Sequence, residues 1–150
     1  MNESPMVRFV LAGFLAVVAC AHTQTMSITD ALWQPVWLEG EEFPANLEGS
    51  EKAFLRLLDG RVQGYGGCNR IAGSYLLTDS QISFSGLVST RRACITGMER
   101  EGAFLKALGK VSSWKRQGGL LRLYDADKRL LLEMKADPEQ TESLPPASSN

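Results

Sequence analysis

The side chains best suited to chemistry in this sequence are its cysteines, Cys20, Cys68 and Cys94. Cys20 ends an apolar N-terminal run, whereas Cys68 and Cys94 lie in a region with the composition of a folded domain. In an oxidising compartment, two cysteines in a small domain predict a disulfide, and a loop of this length gives about 3 to 4 kcal/mol of stabilisation. A metal pair and a reactive thiol are the alternatives, although two thiolates without a histidine or a CxxC spacing make a poor zinc site.

A disulfide between these cysteines would bring together two segments with many polar and basic side chains, GYGGCNR (Gly64–Arg70) and STRRAC (Ser89–Cys94). Guanidinium groups gathered in this way can bind an anion, or a carboxylate bidentately. The structural alternative is that Asn69 holds a turn through its side chain and that the arginines pair with acidic residues of the same chain. The candidate binding residues are Asn69, Arg70, Thr90, Arg91 and Arg92.

Catalysis has little support in the sequence. The single histidine, His22, lies near the N-terminus, so the folded part lacks the usual general base and the commonest transition-metal ligand. Walker A, HExxH and GxSxG motifs are absent, and an SxxK match at residues 112–115 lacks its companion motifs. We therefore expect no enzyme, no cofactor and no bound metal. A formal net charge of −1 without a basic block gives no electrostatic support for a nucleic-acid partner.

The N-terminus has the features of an export signal. Arg8 precedes an apolar run, Phe9–Ala19, that is short for a membrane anchor and typical of a signal-peptide core. Val17-Val18-Ala19-Cys20 resembles the lipobox of bacterial lipoproteins, in which cleavage leaves a cysteine that receives diacylglycerol. Ordinary signal-peptidase cleavage around Ala19-Cys20-Ala21 and an uncleaved signal-anchor are the alternatives, and either Met1 or Met6 fits as the start of the chain.

These features predict how the chain is organised and where it resides. We expect a signal peptide over residues 1–19, a lipidated Cys20 with a tether over 20–30, a folded domain over 31–136 and a disordered tail over 137–150. Acyl chains such as palmitate on Cys20 would hold the protein at the outer membrane, facing the periplasm. Ordinary cleavage would instead give a soluble periplasmic or secreted protein.

Turn residues divide the domain into short strands. Asp59-Gly60 and Thr78-Asp79-Ser80 are typical of hairpin turns, and Pro35 makes the first predicted strand an edge strand or an irregular entry. Strands are predicted over residues 32–38, 53–58, 61–65, 73–77, 81–84, 111–115, 120–124 and 130–135.

The three tryptophans of the chain have two possible roles. Large side chains such as Trp33, Trp37 and Trp114 either fill a small core or line a ligand groove.

A single helix is predicted over residues 98–108. Thr96 and Glu99 have the spacing of a capping box, apolar residues recur at helical intervals behind them, and Gly109 suits the helix end. One helix among short strands joined by tight turns predicts an α+β fold. We expect a strongly curved antiparallel sheet or a partly open small barrel with one packed helix, because a flat sheet would leave open edges.

The run GYGGCNRIAGSY, followed by STRRAC, a helix and a terminal hairpin, resembles the META domain of HslJ-like proteins. Trp37-Leu38 ahead of Glu39-Gly40 is similar to the opening of that family, and the resemblance spans about Trp33 to Lys135. Arg92 stands where the family often has Met, which makes this chain more basic there. The resemblance implies a bacterial envelope protein, often a lipoprotein, that is associated with heat shock and novobiocin tolerance and has no established catalytic activity.

Together these observations predict a non-enzymatic binding or scaffold module in envelope stress or antibiotic tolerance. Its N-terminal lipid would contact the membrane, and its partner would be an envelope protein or a small ligand that the sequence does not identify. One alternative is a protein that resembles lysozyme inhibitors, which are also small, exported and disulfide-bonded. The other is a lipid-binding pilot or chaperone for an outer-membrane protein.

Overall fold

The computed structural model describes residues 27–29, 31–44 and 52–137. The predicted signal peptide, the lipidation site Cys20 and nearly all of the predicted tail lie outside these residues. The described residues form nine strands and one helix. The elements are β1 (Leu32–Leu38), β2 (Glu41–Glu42), β3 (Phe54–Leu58), β4 (Arg61–Tyr65), β5 (Arg70–Thr78), β6 (Gln81–Ser89), α1 (Met98–Leu108), β7 (Ser113–Gln117), β8 (Leu120–Tyr124) and β9 (Leu130–Asp137).

The strands form one antiparallel sheet that curves until its ends meet. The order is β2-β1-β3-β4-β5-β6-β7-β8-β9, and β1 also pairs with β9. Two junctions are short, because β6 and β7 share the single pair Gln81–Ser113, and β1 and β3 share two pairs. The sheet is therefore ring-like without being a regular barrel, which confirms the predicted α+β class with a strongly curved sheet and one helix.

Alternating side chains of the ring fill one apolar core. Val62, Ile71 and Ile82 point inward from three successive strands, and each is at most 2% exposed. On α1, Phe104 and Leu108 are four residues apart and completely buried, so the apolar face of the helix completes this core. The Asp59-Gly60 turn has positive φ at both residues, which suits the tight hairpin predicted there.

Of the two alternatives predicted for β1, the edge strand was wrong, whereas an irregularity does occur at Pro35. Strand β1 pairs with β9 from Leu32 to Leu38, while β3 and β2 pair with the two ends of its other side. Pro35 is accommodated because the pairing with β2 and β3 skips it, and because a register shift follows it on the β9 side. Pro35 has no N–H to donate, and it is tolerated in this central strand because the strand pairing is irregular there.

The capping-box prediction was also wrong, although α1 spans Met98–Leu108 and ends at Gly109 as expected. The N-cap residue is Gly97, with φ 92° and no side-chain hydrogen bond to the helix, so Thr96 lies outside the helix. A left-handed φ favours glycine, and this local geometry takes precedence over the threonine pattern. Glu99 instead lies in the first turn, where its charge is favourable toward the positive end of the helix dipole.

The folded region extends slightly beyond the predicted residues 31–136. Ile28 is completely buried in the core, and its carbonyl accepts a 2.8 Å hydrogen bond from Nε1 of Trp33. At the other end, β9 continues to Asp137, whose carboxylate accepts a hydrogen bond from Gln34. Strands β5 and β6 are longer than predicted, β7 begins two residues later, and β2 was not predicted because two exposed glutamates carry no apolar pattern.

Candidate functional site

The predicted disulfide between Cys68 and Cys94 is confirmed. The two Cα atoms are 6.0 Å apart, and Cys68 is completely buried. The bridge joins the turn between β4 and β5 to the loop that leads from β6 to α1. It therefore unites the two segments in which the sequence placed the candidate binding residues.

A buried carboxylate lies behind this bridge. Glu101, in the first turn of α1, is only 4% exposed. Its Oε2 accepts hydrogen bonds from the backbone N–H groups of Cys68 at 3.1 Å and Asn69 at 2.6 Å, and its Oε1 accepts one from Nδ2 of Asn69 at 2.9 Å. The carboxylate thus satisfies three donors of the β4–β5 turn, and these bonds offset its removal from water.

Gly66 lets the turn and the helix approach each other closely. A Cβ atom at this position would lie 2.5 Å from Cγ of Glu101 and 2.7 Å from its Oε2, well inside van der Waals contact. The backbone N–H of Gly66 donates to the carbonyl of Asn69 at 2.9 Å, which closes the turn. A residue without a side chain is therefore required for the carboxylate to reach its donors.

Asn69 connects this buried network to the loop after β6. Its Oδ1 accepts a 2.7 Å hydrogen bond from the backbone N–H of Arg92 and a 3.0 Å bond from the hydroxyl of Thr90. The Thr90 hydroxyl oxygen in turn accepts from the backbone N–H of Arg70 at 3.1 Å. Asn69 is itself 4% exposed, so its side chain is occupied inside the protein and braces the loop.

The arginines of the cluster face solvent. Arg70, Arg91 and Arg92 are all exposed, and none of their guanidinium groups forms an ion pair or hydrogen bond with another described residue. The structure thus brings the five predicted residues together in two roles. Asn69 and Thr90 hold the backbone, as the structural alternative supposed for Asn69, whereas the arginines do not pair with described acidic residues as that alternative required.

Sequence reasoning missed Glu101 and Gly66. Glu101 precedes the buried Phe104 by three residues and Leu108 by seven, so it lies on the apolar face of α1. An acidic residue at such a position is the signal, because a carboxylate is rarely buried without partners. Gly66 gave no comparable signal, since the neighbouring glycines of the turn look alike in sequence.

The tryptophans divide between the two predicted roles. Trp33 is completely buried in the core. Trp37 and Trp114 are half-buried, and each lines an open groove, of about 390 Å³ and about 420 Å³ respectively. The indole N–H of Trp114 is buried without a hydrogen-bond partner among the described residues.

A second carboxylate organises the turn between β8 and β9. Oδ1 of Asp125 accepts 2.9 Å hydrogen bonds from the backbone N–H groups of Asp127 and Arg129, and its Oδ2 accepts one from Nε of Arg129. The Arg129 backbone N–H, helped by the Arg129 guanidinium, holds the pKa of Asp125 below its ordinary value of 3.8, although desolvation of the carboxyl opposes this shift. The turn is therefore held by bonds that favour the ionised acid.

No helix in residues 27–29, 31–44 and 52–137 is long and apolar enough to cross a membrane. Within the same residues, no three histidine, cysteine, aspartate or glutamate side chains are grouped so that they could share a metal ion.

The fold and the Cys68–Cys94 bridge define a class of small, disulfide-bonded α+β domains with a ring-like antiparallel sheet. The family model of the META domain matches residues 26–138, and the chain belongs to this family. No curated protein matches the chain.

Solved structures support the same fold. The chain is similar to a protein from Burkholderia xenovorans solved by NMR, with 25% identity and a TM-score of 0.59, over 92% of this chain and 99% of that one. It also resembles, at 15% identity and a TM-score of 0.52, the crystal structure of a DUF4847 family protein from Bacteroides vulgatus, over 73% of this chain and 94% of that one. The second likeness concerns the fold alone.

Proposed function

We propose that this META-domain protein is a non-enzymatic binding module of the bacterial envelope, anchored through a lipidated Cys20, that contributes to stress or novobiocin tolerance. Its binding site is the arginine cluster, which consists of Arg70, Arg91 and Arg92, and its partner carries an anionic group. The export signal and lipobox resemblance of residues 7–20 motivate the anchor. The role in stress rests on the family resemblance.

One observation carries the proposed binding site. Three exposed guanidinium groups lie on a loop and a strand end that are fixed by a disulfide and by the hydrogen bonds of Asn69 and Thr90. Because the backbone beneath them is held, an anion that binds here orders the arginine side chains but not the loop, and this lowers the entropy lost on association. No described acidic residue competes for these guanidiniums.

The test is complementation of a strain that lacks this protein. We expect the wild-type gene to restore growth at an inhibitory novobiocin concentration, and the triple variant Arg70→Gln, Arg91→Gln, Arg92→Gln to fail. The matched control is Lys106→Gln, Lys115→Gln, Lys135→Gln, which removes the same charge from exposed lysines on other elements and should complement fully. Both variants must be present at wild-type levels in the membrane fraction.

Full complementation by the arginine variant would overturn the proposed site. A Cys20→Ala variant tests the anchor separately. We expect it to lose incorporation of labelled palmitate and to leave the membrane fraction, whereas unchanged incorporation would place the lipid elsewhere.

A further inference from the structure

The outer face of strands β3 to β6 is basic and carries no acidic side chain. Register aligns Arg56, Gln63, Ala72 and Val88 in one row across the four strands, and Arg61 and Arg70 lie in the neighbouring rows. From Lys52 to Thr96 the chain has six cationic residues and two acidic ones, Asp59 and Asp79. Both acids lie in hairpin turns, so they are off the strand face.

Large apolar side chains are exposed on this same part of the chain. Leu76 on β5 is 74% exposed, Val88 on β6 is 62% exposed, and Ile95, next to the disulfide, is fully exposed. Val88 pairs with Ala72, two residues from Arg70, and Ile95 follows Arg91 and Arg92 in the braced loop. Exposed aliphatic groups are thus interleaved with cations that no described acid neutralises.

The remainder of the domain differs in this respect. The ion pairs between described residues are Lys110–Glu39, Arg122–Glu133, and Arg129 with Asp125 and Asp127, and all of them lie outside residues 52–96. Apart from Met98, at the start of α1, the described large apolar residues that are exposed belong to the basic face and its loop. The first exposed acid after this segment is Glu99 in α1.

We infer that this surface docks on an anionic phospholipid bilayer, with Ile95 inserted at the headgroup level and Arg70, Arg91 and Arg92 on lipid phosphates. The inference rests on the proposed function, since it names the class of anion that the arginine cluster binds. Cations beside exposed aliphatic groups are the combination that binds a membrane interface, where acyl chains receive the apolar groups and anionic headgroups receive the charge.

The same chemistry argues against the other anionic partners. A surface that binds nucleic acid usually has a denser basic patch and aromatic side chains that stack on bases. The exposed aliphatic side chains of Leu76, Val88 and Ile95 would contribute little to such binding. A single carboxylate on a protein would occupy one or two guanidiniums and would leave the face of β3 to β6 unused. A bilayer is wide enough to meet the strand face and the loop together.

Docking is also compatible with the proposed lipid anchor. Because Ile28 already belongs to the core, only residues 21–27 lie between Cys20 and the domain, and they span at most about 25 Å when extended, so the tether keeps the domain close to the bilayer. Near the membrane, even a weak interaction of the basic face is strengthened by the high effective concentration of lipid.

The experiment uses the chain from Ala21 onward, which lacks the lipid anchor and keeps every described residue. It is incubated with vesicles of phosphatidylethanolamine alone or mixed with phosphatidylglycerol, and the bound fraction is measured by flotation. We expect binding only to the mixed vesicles, and roughly a hundredfold weaker binding for Arg70→Gln, Arg91→Gln, Arg92→Gln. The control Lys106→Gln, Lys115→Gln, Lys135→Gln should bind nearly as wild type.

Insertion has its own readout. An Ile95→Trp variant should show blue-shifted emission on mixed vesicles, whereas a Gln117→Trp variant on β7 should show none beyond that of the wild-type tryptophans. Equal binding by the arginine and lysine variants, or no binding to mixed vesicles, would overturn the inference. In cells, a photo-crosslinking residue at position 95 should give phospholipid adducts, and a protein adduct in their place would also overturn it.

The two proposals fail in different ways. Vesicle binding that needs the arginines, together with full complementation by the arginine variant, contradicts the proposed function and supports membrane docking. Loss of complementation without any vesicle binding leaves the binding module in place and assigns its anion to a protein or a small molecule.

Discussion

Two carboxylates of this domain each hold a turn by accepting hydrogen bonds from its backbone N–H groups, but they differ in how far along the chain that turn lies. Glu101 accepts two backbone N–H groups from a turn 32 and 33 residues earlier in the chain, and it is buried. Asp125, which is 8% exposed, accepts two backbone N–H groups from residues two and four positions later, in the turn between β8 and β9. Glu101 therefore joins a helix to a distant turn, whereas Asp125 shapes only the loop to which it belongs.

The difference shows where this fold depends on polar contacts. Around Glu101, the disulfide, Gly66 and Asn69 together hold the β4–β5 turn against α1. Loss of the carboxylate would leave the buried donors of this turn unsatisfied. Asp125 is itself only 8% exposed, but residues 126–129 of its turn are exposed, so water can reach the N–H groups that would lose their acceptor. Substitutions in the first region should therefore weaken the whole domain, while those in the second should act locally.

The largest effect is expected from removal of the disulfide. The double substitution Cys68→Ser, Cys94→Ser should lower the free energy of unfolding by about 3 to 4 kcal/mol, because the unfolded chain regains the entropy that the closed loop had removed. Urea unfolding of the oxidised wild type and the double variant measures it. A loss below about 1 kcal/mol would mean that the noncovalent network alone holds this corner.

Glu101→Ala should have the next largest effect, a loss of about 3 kcal/mol. The backbone N–H groups of Cys68 and Asn69 would remain buried without an acceptor, and each such group costs about 1 to 3 kcal/mol. Glu99→Ala, an exposed acid in the same helical turn, is the matched control and should change stability by less than about 1 kcal/mol. Equal effects of the two substitutions would contradict the structural role of Glu101.

Gly66→Ala should destabilise the domain by about 2 kcal/mol, because the added Cβ would meet Cγ and Oε2 of Glu101. Gly102→Ala is the control. It lies in α1 with no atom within 4 Å of the added carbon, so it should raise stability by about 0.5 to 1 kcal/mol. If Gly66→Ala causes no further loss of stability in a Glu101→Ala background, the clash with Glu101 is confirmed as the cause.

The smallest effect is expected at Asp125 and depends on pH. Because the pKa of Asp125 is lower in the folded protein than its ordinary value of 3.8, the ionised carboxylate stabilises the fold above that pH. This contribution declines as the pH falls through the lowered pKa of the folded state. Asp125→Asn should therefore be less stable than the wild type at pH 6, and the difference should shrink toward pH 2 in urea unfolding. A constant difference over this range would contradict the linkage.

Much of the fold could be predicted from local patterns. The Asp59-Gly60 turn, the period of the strands and the bounds of α1 follow from residues that lie next to one another in sequence. The edge placement of β1 failed because closure of the ring brought β9 to its open side, which Pro35 could not reveal. The capping box failed because Gly97 adopts a left-handed conformation that makes Thr96 irrelevant to the helix start.

The candidate site was predictable in part for the same reason. Two cysteines in a domain that the sequence predicts to be exported predicted the bridge, and the bridge predicted that Asn69 and the arginines would meet. The sequence could not assign Asn69 to the interior and the arginines to the surface, because that division depends on which atoms of the loop the Glu101 network occupies. Nor could it predict the acid-free face of β3 to β6, which arises from strand register.

The sequence by itself determined the α+β class, the bridge, the helix and the resemblance to a family, since each depends on residue type and short-range spacing. The tertiary structure alone decided how the ring closes, why Glu101 is buried and which charges share a surface. The physical reason is that register and closure are set by the packing of all strands around one core, so contacts between distant residues are fixed together. Local sequence preferences limit which segments form helices and strands, and packing determines which of these elements lie next to one another.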